Sequence, residues 1–366
     1  MAGRRVERRC ALGWLAPLLP SGQIPMPLAS LSALSPKQLG RRVLTSNGLY
    51  PLMRARALRG DPVTVLMYHT LGADDEAFDA WTVVRQSDFL EQIDLLRQGY
   101  DIVSLDEAMT HLCGAEAQGR PKAVITFDDG HTGLHRYLLP VLDRLQLPVT
   151  ICVATGHIAS GRPYWFDRVM NALQVRRPLT LDLAGFGLPA FAIEAGSGEA
   201  RWRALGALLE ALKALAPEHR EAAADAVVDQ LAPHRRDDFE PLAPLAMEQL
   251  LELAQSPWVT LGAHTDCHSL LDQIPSDDAQ ETMVRSAQLL REWTGQAVHH
   301  FAYPNGNHNQ ELMARAQAAG FATALTTRKG LWRRDDSRFA VSRIPVGRYD
   351  DLPRFKFNLL AGEWRH

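Results

Sequence analysis

The sequence predicts an α/β fold with a parallel sheet closed into a barrel. From residue 63 onward, short β-branched, apolar runs alternate with segments of helical periodicity, the rhythm of βα units. There are about eight such runs, which favours a closed barrel over an open sheet. His69, Asp128, Asp129, His264 and Pro304 all stand at the C-terminal ends of these runs, where α/β folds carry their sites.

In chain order the strand candidates are VTVLMYH (63–69), DIVSL (101–105), AVITFDD (123–129) and PVTICVA (148–154). VTLGAH (259–264), HHFAYP (299–304), FATALTT (321–327) and AVSRIPV (340–346) follow. Helices are predicted over 88–98, 106–113, 134–145, 277–293 and 310–319. Ser87-Asp88 reads as a helix start, and Ser104 with Glu107 as a capping box. Gly320 reads as a helix terminator. Residues 160 to 245 break the rhythm. YWFDRVMNAL opens a helix there, LTLDLAGFGLPAFAI (179–193) suits a small hairpin, and Trp202, Leu205, Leu209, Leu212 and Leu215 recur at helical spacing. That stripe implies the core of an inserted helical lobe; the alternative is a lid that grips substrate beside the barrel mouth.

A net charge of -3 argues against a dedicated nucleic-acid binder. Residues 1 to 61 form a basic arm, expected to be partly disordered. Its first 60 residues carry nine Arg and one Lys against Glu7 alone. Such an arm either lies peripherally on an anionic membrane face or forms a solvated leader. Arg4, Arg5, Arg8 and Arg9 precede ALGWLAPLLP, a pattern like a weak signal peptide, though Pro17 and Pro20 break it and Met26 is another plausible start. No run reaches the roughly 18 apolar residues of a membrane span. Cys10, Cys113, Cys152 and Cys267 show no CxxC spacing, which speaks against a disulfide framework or structural zinc. Reduced thiols fit a cytoplasmic setting; export through the leader is the alternative.

The chemistry begins at Asp128 and Asp129. Adjacent carboxylates at the end of a buried strand repel unless a positive group lies between them. His264 and His268, four residues apart after another strand, can face one point. Two imidazoles, a carboxylate and an open position make a catalytic zinc site. Asp129 is the candidate third ligand. The metal would acidify a bound water and polarise a carbonyl, leaving Asp128 free to take the water's proton. Asp-Asp-Gly alone is common in turns, and an isolated HxxxH is often two surface histidines; the pairing of the two is what points to a divalent metal.

At these residues the chain resembles the polysaccharide deacetylase family, the family-four carbohydrate esterases with a nodulation-protein-like domain. Thr126-Phe127-Asp128-Asp129-Gly130 stands as that family's first motif and His264-Thr265-Asp266-Cys267-His268 as its second. The resemblance covers roughly residues 62 to 346. It implies a distorted (β/α) barrel of seven or eight strands, with the catalytic domain running from 62 to 366. It also implies Asp128 as general base, and Asp129, His264 and His268 as ligands of a divalent metal, commonly zinc. The implied reaction removes an acetyl group from an amino sugar, on an acetylated polysaccharide, an oligosaccharide or a lipid-linked precursor.

Two departures stand out. The family's third motif, Arg-x-Pro-Tyr, is Ala302-Tyr303-Pro304-Asn305 here, so the Arg that orients the base is absent. The backbone N–H of Asn305 would still serve the developing oxyanion. The late strand that should end in an acid histidine reads AVSRIPVG, with Arg343 instead, and arginine cannot donate as an acid. His69 and His308 are the candidates to protonate the leaving amine, or Asp128 handles both transfers. Tyr303, Pro304 and Arg343 are expected to bind substrate. The rivals are an O-acetyl esterase or another amidase with the same site, and a catalytically silent carbohydrate-binding protein.

Overall fold

The structure, a computed structural model, describes residues 36–46, 48–75, 78–114, 119–174, 178–194, 198–231 and 240–361. The leader-like segment and Cys10 lie outside them. The strands are β1 Thr64–Tyr68, β2 Thr70–Gly72, β3 Val83–Arg85, β4 Asp101–Ile102, β5 Lys122–Phe127, β6 Val149–Val153, β7 Leu179–Leu181, β8 Phe191–Ile193, β9 Val259–Ala263, β10 His300–Ala302, β11 Thr323–Lys329 and β12 Val341–Pro345. All eight predicted strand runs contain one.

The barrel runs β1-β12-β11-β10-β9-β6-β5 and closes by pairing β1 with β5, from Thr64↔Ala123 to Tyr68↔Phe127. Seven parallel strands therefore close, and the eighth is an appendage. β4 pairs with the first residues of β5 (Asp101↔Lys122) and β6 with its last (Thr126↔Thr150), because β1 occupies the other edge throughout. The β7–β8 hairpin is antiparallel, as its turn-rich sequence predicts.

Alternation along the strands sorts side chains between two packing regions. Val65, Val124, Cys152, Ala302, Leu325 and Val341 form one cluster together with Leu105 and Leu112 of the helix Leu105–Cys113. Leu66, Ile125, Ile151 and Ile344, one residue out of phase, pack with Phe89, Ile93 and Leu96 of the helix Gln86–Gly99. Thr126 and Asp128 continue the phase of Val124, and Arg343 that of Val341.

Ser104 and Glu107 form the predicted capping box. Ser87-Asp88 does not start its helix. That helix begins at Gln86 from extended Arg85 without a side-chain cap, while Asp74 accepts the Ser87 N–H at 2.9 Å. The 134–145 helix opens with a π turn, Leu134–Leu138, before Leu139–Leu145; Pro140, lacking an N–H, suits that break in the α ladder.

Residues 36 to 57 are not a free arm. The helices Pro36–Leu44 and Tyr50–Ala57 pack on the C-terminal helix Leu352–Ala361. Arg41 lies over the Phe357 ring and Arg54 over Tyr100, so part of the basic charge is spent on the barrel wall. Among the described residues no helix is long and apolar enough to cross a membrane.

Candidate metal and catalytic site

The site is built from the turns that leave β5 and β9. Asp129 takes φ 75° and Gly130 φ 79°, and a Cβ on Gly130 would meet Val153 at 2.7 Å. The sharp turn after the two carboxylates therefore requires glycine. The second turn is pinned by β6 and its successor: Val153 O accepts the His264 N–H at 3.1 Å. Thr155 Oγ1 donates to Asp266 Oδ1 at 2.8 Å. Asp129, Thr265, His268 and Asn305 are four of the six non-glycine residues with positive φ among the described residues. Such concentration of backbone strain is a mark of a functional site.

Asp129, His264 and His268 converge, with their ligand atoms within 4.8 Å of one another. The His264 and His268 Nε2 atoms stand 3.3 and 3.4 Å from Asp129 Oδ1. These separations exceed the about 2.7–2.9 Å of charge-assisted hydrogen bonds, as expected of groups arranged around a shared ion. His264 Nδ1 lies 2.7 Å from the Ala302 carbonyl, which leaves Nε2 as its ligand atom. Burial lowers the His268 imidazole to about 4, so it is neutral and able to ligate. Burial alone would raise Asp129, but the facing His264 and His268 imidazoles outweigh it and hold its carboxyl well below the usual range. The donor set fits a divalent cation, and a two-imidazole, one-carboxylate set is a catalytic zinc set.

Arg343 corrects the sequence reading in two ways. It is fully buried, so it does not line the substrate space. It rises from β12 beneath Asp128 and donates Nη1 to Oδ1 at 2.9 Å and Nη2 to Oδ2 at 2.6 Å. Its Nε donates to Thr326 O and Nη1 to Thr126 Oγ1. The third motif has no arginine, and the one that pairs with Asp128 comes from another strand. Burial pushes the Asp128 carboxyl up, but the Arg343 charge and hydrogen bonds outweigh it, and Asp128 titrates below its usual range.

Tyr303 and Pro304 are also buried rather than presented to substrate. The Tyr303 hydroxyl donates to Phe339 O at 3.1 Å, and its ring packs on Phe301. His308 lies behind it, with Nδ1 2.8 Å from Gly306 O and its ring stacked on Tyr303. His69, by contrast, lines the same cavity as the metal triad and Asp128. Burial holds its imidazole below the usual pKa.

That cavity, of about 430 Å³, is roofed by the inserted lobe. Asn305 closes one wall and accepts from Lys213 Nζ at 2.9 Å. The lobe's hydrophobic stripe packs as its core: Trp202, Leu205, Leu208 and Leu212 are buried in it, with Leu209 packed against them. Trp202 and Leu209 also line the cavity.

A buried pair went unread in the sequence. His131 Nε2 lies 2.7 Å from Asp167 Oδ2, joining the lobe helix Trp165–Ala172 to the turn that carries Asp129. The neighbouring Tyr164 hydroxyl donates to the Asp129 carbonyl. Burial raises Asp167 to about 6, and the Asp167 charge raises His131 against its own burial. The available signal was a lone acid within the apolar run YWFDRVM.

Comparison with known proteins agrees with this geometry. The polysaccharide deacetylase family profile matches residues 115–181 and 207–324, just over half of the chain. YxkH of Bacillus subtilis (strain 168), assigned by name to the polysaccharide deacetylases, is 29% identical over 102 residues. That match spans 28% of this chain and 36% of the relative's length. The Streptococcus pyogenes deacetylase PplD, solved in complex with acetate, superimposes with a TM-score of 0.54 at 18% identity, over 83% of this chain and 99% of that one. IcaB from Ammonifex degensii gives 0.53 at 20% identity, over 82% and 98%. These structural likenesses establish the shared barrel. On the profile match, the chain belongs to the polysaccharide deacetylase family.

Proposed function

We propose that the protein is a zinc-dependent hydrolase that removes N-acetyl groups from a polysaccharide or its lipid-linked precursor, in a pathway building surface polymer. The observation that carries this is the pairing of Asp128 with Arg343 beside the Asp129–His264–His268 cluster. One carboxylate is committed to a cation, and its neighbour is held ionised and oriented. Zinc held by Asp129, His264 and His268 would supply Lewis acidity to the acyl oxygen and the attacking water. Asp128 takes the proton of that water. Arg343 keeps the Asp128 carboxylate charged until it does so, and fixes its plane through two parallel bonds. His69 is neutral before the reaction, so Asp128 is assigned the return of the proton to the leaving nitrogen. The backbone N–H of Asn305, at the cavity wall, is assigned to the oxyanion.

The test is acetate release from a panel of N- and O-acetylated glycans. Asp128→Asn should retain metal and lose turnover by about 10²- to 10⁴-fold, the worth of a general base. Chelator should abolish release and added zinc restore it. Unchanged turnover in Asp128→Asn removes the residue from the mechanism. Release from O-acetyl substrates alone would make the enzyme an esterase.

A further inference from the structure

Two of the three candidate ligands lean on the inserted lobe. The Tyr164 hydroxyl, just ahead of the lobe helix Trp165–Ala172, donates to the Asp129 carbonyl, and its ring meets the His268 imidazole edge-on at 5.3 Å. The Phe166 ring lies 5.1 Å from the same imidazole. Asp167 is the 2.7 Å partner of His131, two residues beyond Asp129. Further along the helix, Val169, Met170 and Ala172 are buried in the lobe's core. The far end of the lobe grips the same turn. Gly130 O accepts the Leu245 N–H at 2.9 Å, and the Thr132 N–H donates to Ala243 O at 2.8 Å. The left-handed turn at Asp129 and Gly130 is therefore held by both ends of the insertion. Backbone in so sparsely populated a region persists only where its surroundings over-determine it.

The His131–Asp167 pair separates positioning from mere packing. Both side chains are fully buried, and His131 Nδ1 and Asp167 Oδ1 have no hydrogen-bond partner among the described residues. A buried pair satisfied on one side only is a poor source of stability, and apolar residues of similar volume serve a fold about as well. What the pair supplies is direction, a single short link between the lobe helix and the turn that carries Asp129. A second link reaches the segment after His268. Arg220 of the lobe lies 5.9 Å over the Trp165 ring and donates to Gln273 Oε1, in the turn Leu271–Gln273.

We propose that the inserted lobe sets the metal affinity of the site, with Tyr164 and Asp167 as positioning residues that hold the Asp129 turn and the His268 ring. The inference rests on the reading of Asp129, His264 and His268 as ligands of a divalent cation. Neither residue touches the cation or the substrate; each acts through the ligand it orients. Coupling of this kind is reciprocal. Loosening the lobe's grip weakens the cation's hold, and binding the cation holds the lobe down on the barrel mouth. The lobe is then more than a roof, because the site is complete only when the lobe is docked.

The test measures the zinc affinity of the full chain by competition with a chromophoric chelator, and amide hydrogen exchange across Trp165–Ala172 with and without zinc. Tyr164→Phe removes one hydroxyl. The double variant His131→Phe/Asp167→Ala replaces the pair by apolar groups of similar total volume. Each should bind zinc about 10- to 100-fold more weakly, the cost of losing a group that orients a ligand. The double variant should keep the urea midpoint of zinc-free wild type. Tyr349→Phe is the control: that hydroxyl donates to Asp79 Oδ1 and its ring packs on the same lobe core, away from the ligands. Its zinc affinity should stay within about twofold of wild type. In wild type, zinc should slow exchange across the lobe helix. Wild-type affinity in either Tyr164→Phe or the double variant overturns the proposal, as does an equal loss in Tyr349→Phe or exchange indifferent to zinc. Wild type that binds no zinc at the triad removes the metal reading and the proposal together. The expected affinity losses, with no acetate released from any glycan, uphold the proposal and remove the hydrolase reading alone.

Discussion

Replacing Arg343 by Met should orphan the charge that the site depends on. Both partners are buried: the Arg343 side chain is 0% exposed and that of Asp128 5%. Met fills the stem's apolar volume but leaves the Asp128 carboxylate without its guanidinium. Breaking one side of a buried pair costs about 3–5 kcal/mol. Because the folded Asp128 titrates below its usual range, the pair adds stability that is present above the unfolded value of about 3.9 and lost as pH falls through the folded one. The deficit of Arg343→Met should therefore be largest at neutral pH and shrink in acid. Adding Asp128→Asn removes the orphaned charge, so the double variant should recover more than half of the loss. Urea denaturation at pH 7 and pH 3, on either side of the unfolded value, measures all three. An Arg343→Met variant within about 1 kcal/mol of wild type at pH 7, the size of an ordinary substitution, refutes the reasoning. So does a double variant no more stable than the single one.

The roof, the cap and the buried pair each lend themselves to substitution. A Cβ on Gly206 meets nothing within 4 Å, so Gly206→Ala should stabilise its helix by about 0.5–1 kcal/mol in thermal denaturation. Gly206→Trp should fold and lose turnover by filling the catalytic cavity, read by acetate release. Ser104→Ala removes the capping box and should cost about 1 kcal/mol in urea denaturation, with no effect on turnover. His131 has a raised folded-state pKa; its stabilisation is fully present below the unfolded value of about 6.5 and lost as pH rises through the folded one. The urea midpoint of wild type should therefore fall as pH rises beyond that range, and Asp167→Asn should flatten the decline.

Local pattern made most of the fold legible. Buried parallel strands are nearly continuous apolar runs, and each of the eight runs holds a strand. Closure by seven was not legible, because β4 is only two residues long and its sharing of the β5 edge with β6 is a matter of register. The convergence of Asp129, His264 and His268 was legible because all three sit in short motifs at strand ends. Arg343 was misplaced because its partner lies 215 residues away. Its alternation with Val341, and that of Asp128 with Val124, would have put both in the phase of one cluster. Tyr303 and Pro304 were read as substrate contacts from their motif, but an apolar strand end carries its aromatic residue into the core as readily as toward a cavity. The lobe's role was half legible. Helical spacing identified the stripe, but not that Trp202 and Leu209, packed in the lobe core with Leu205 and Leu212, would also line the cavity.

The central claim is a single cation shared by β5 and β9. Anomalous diffraction at the zinc edge from crystals grown with zinc tests it most directly. One peak should appear in contact with Asp129, His264 and His268, and vanish in His264→Ala. An ion bound elsewhere, or the three side chains ordered as described here with zinc in excess and no peak between them, would contradict it.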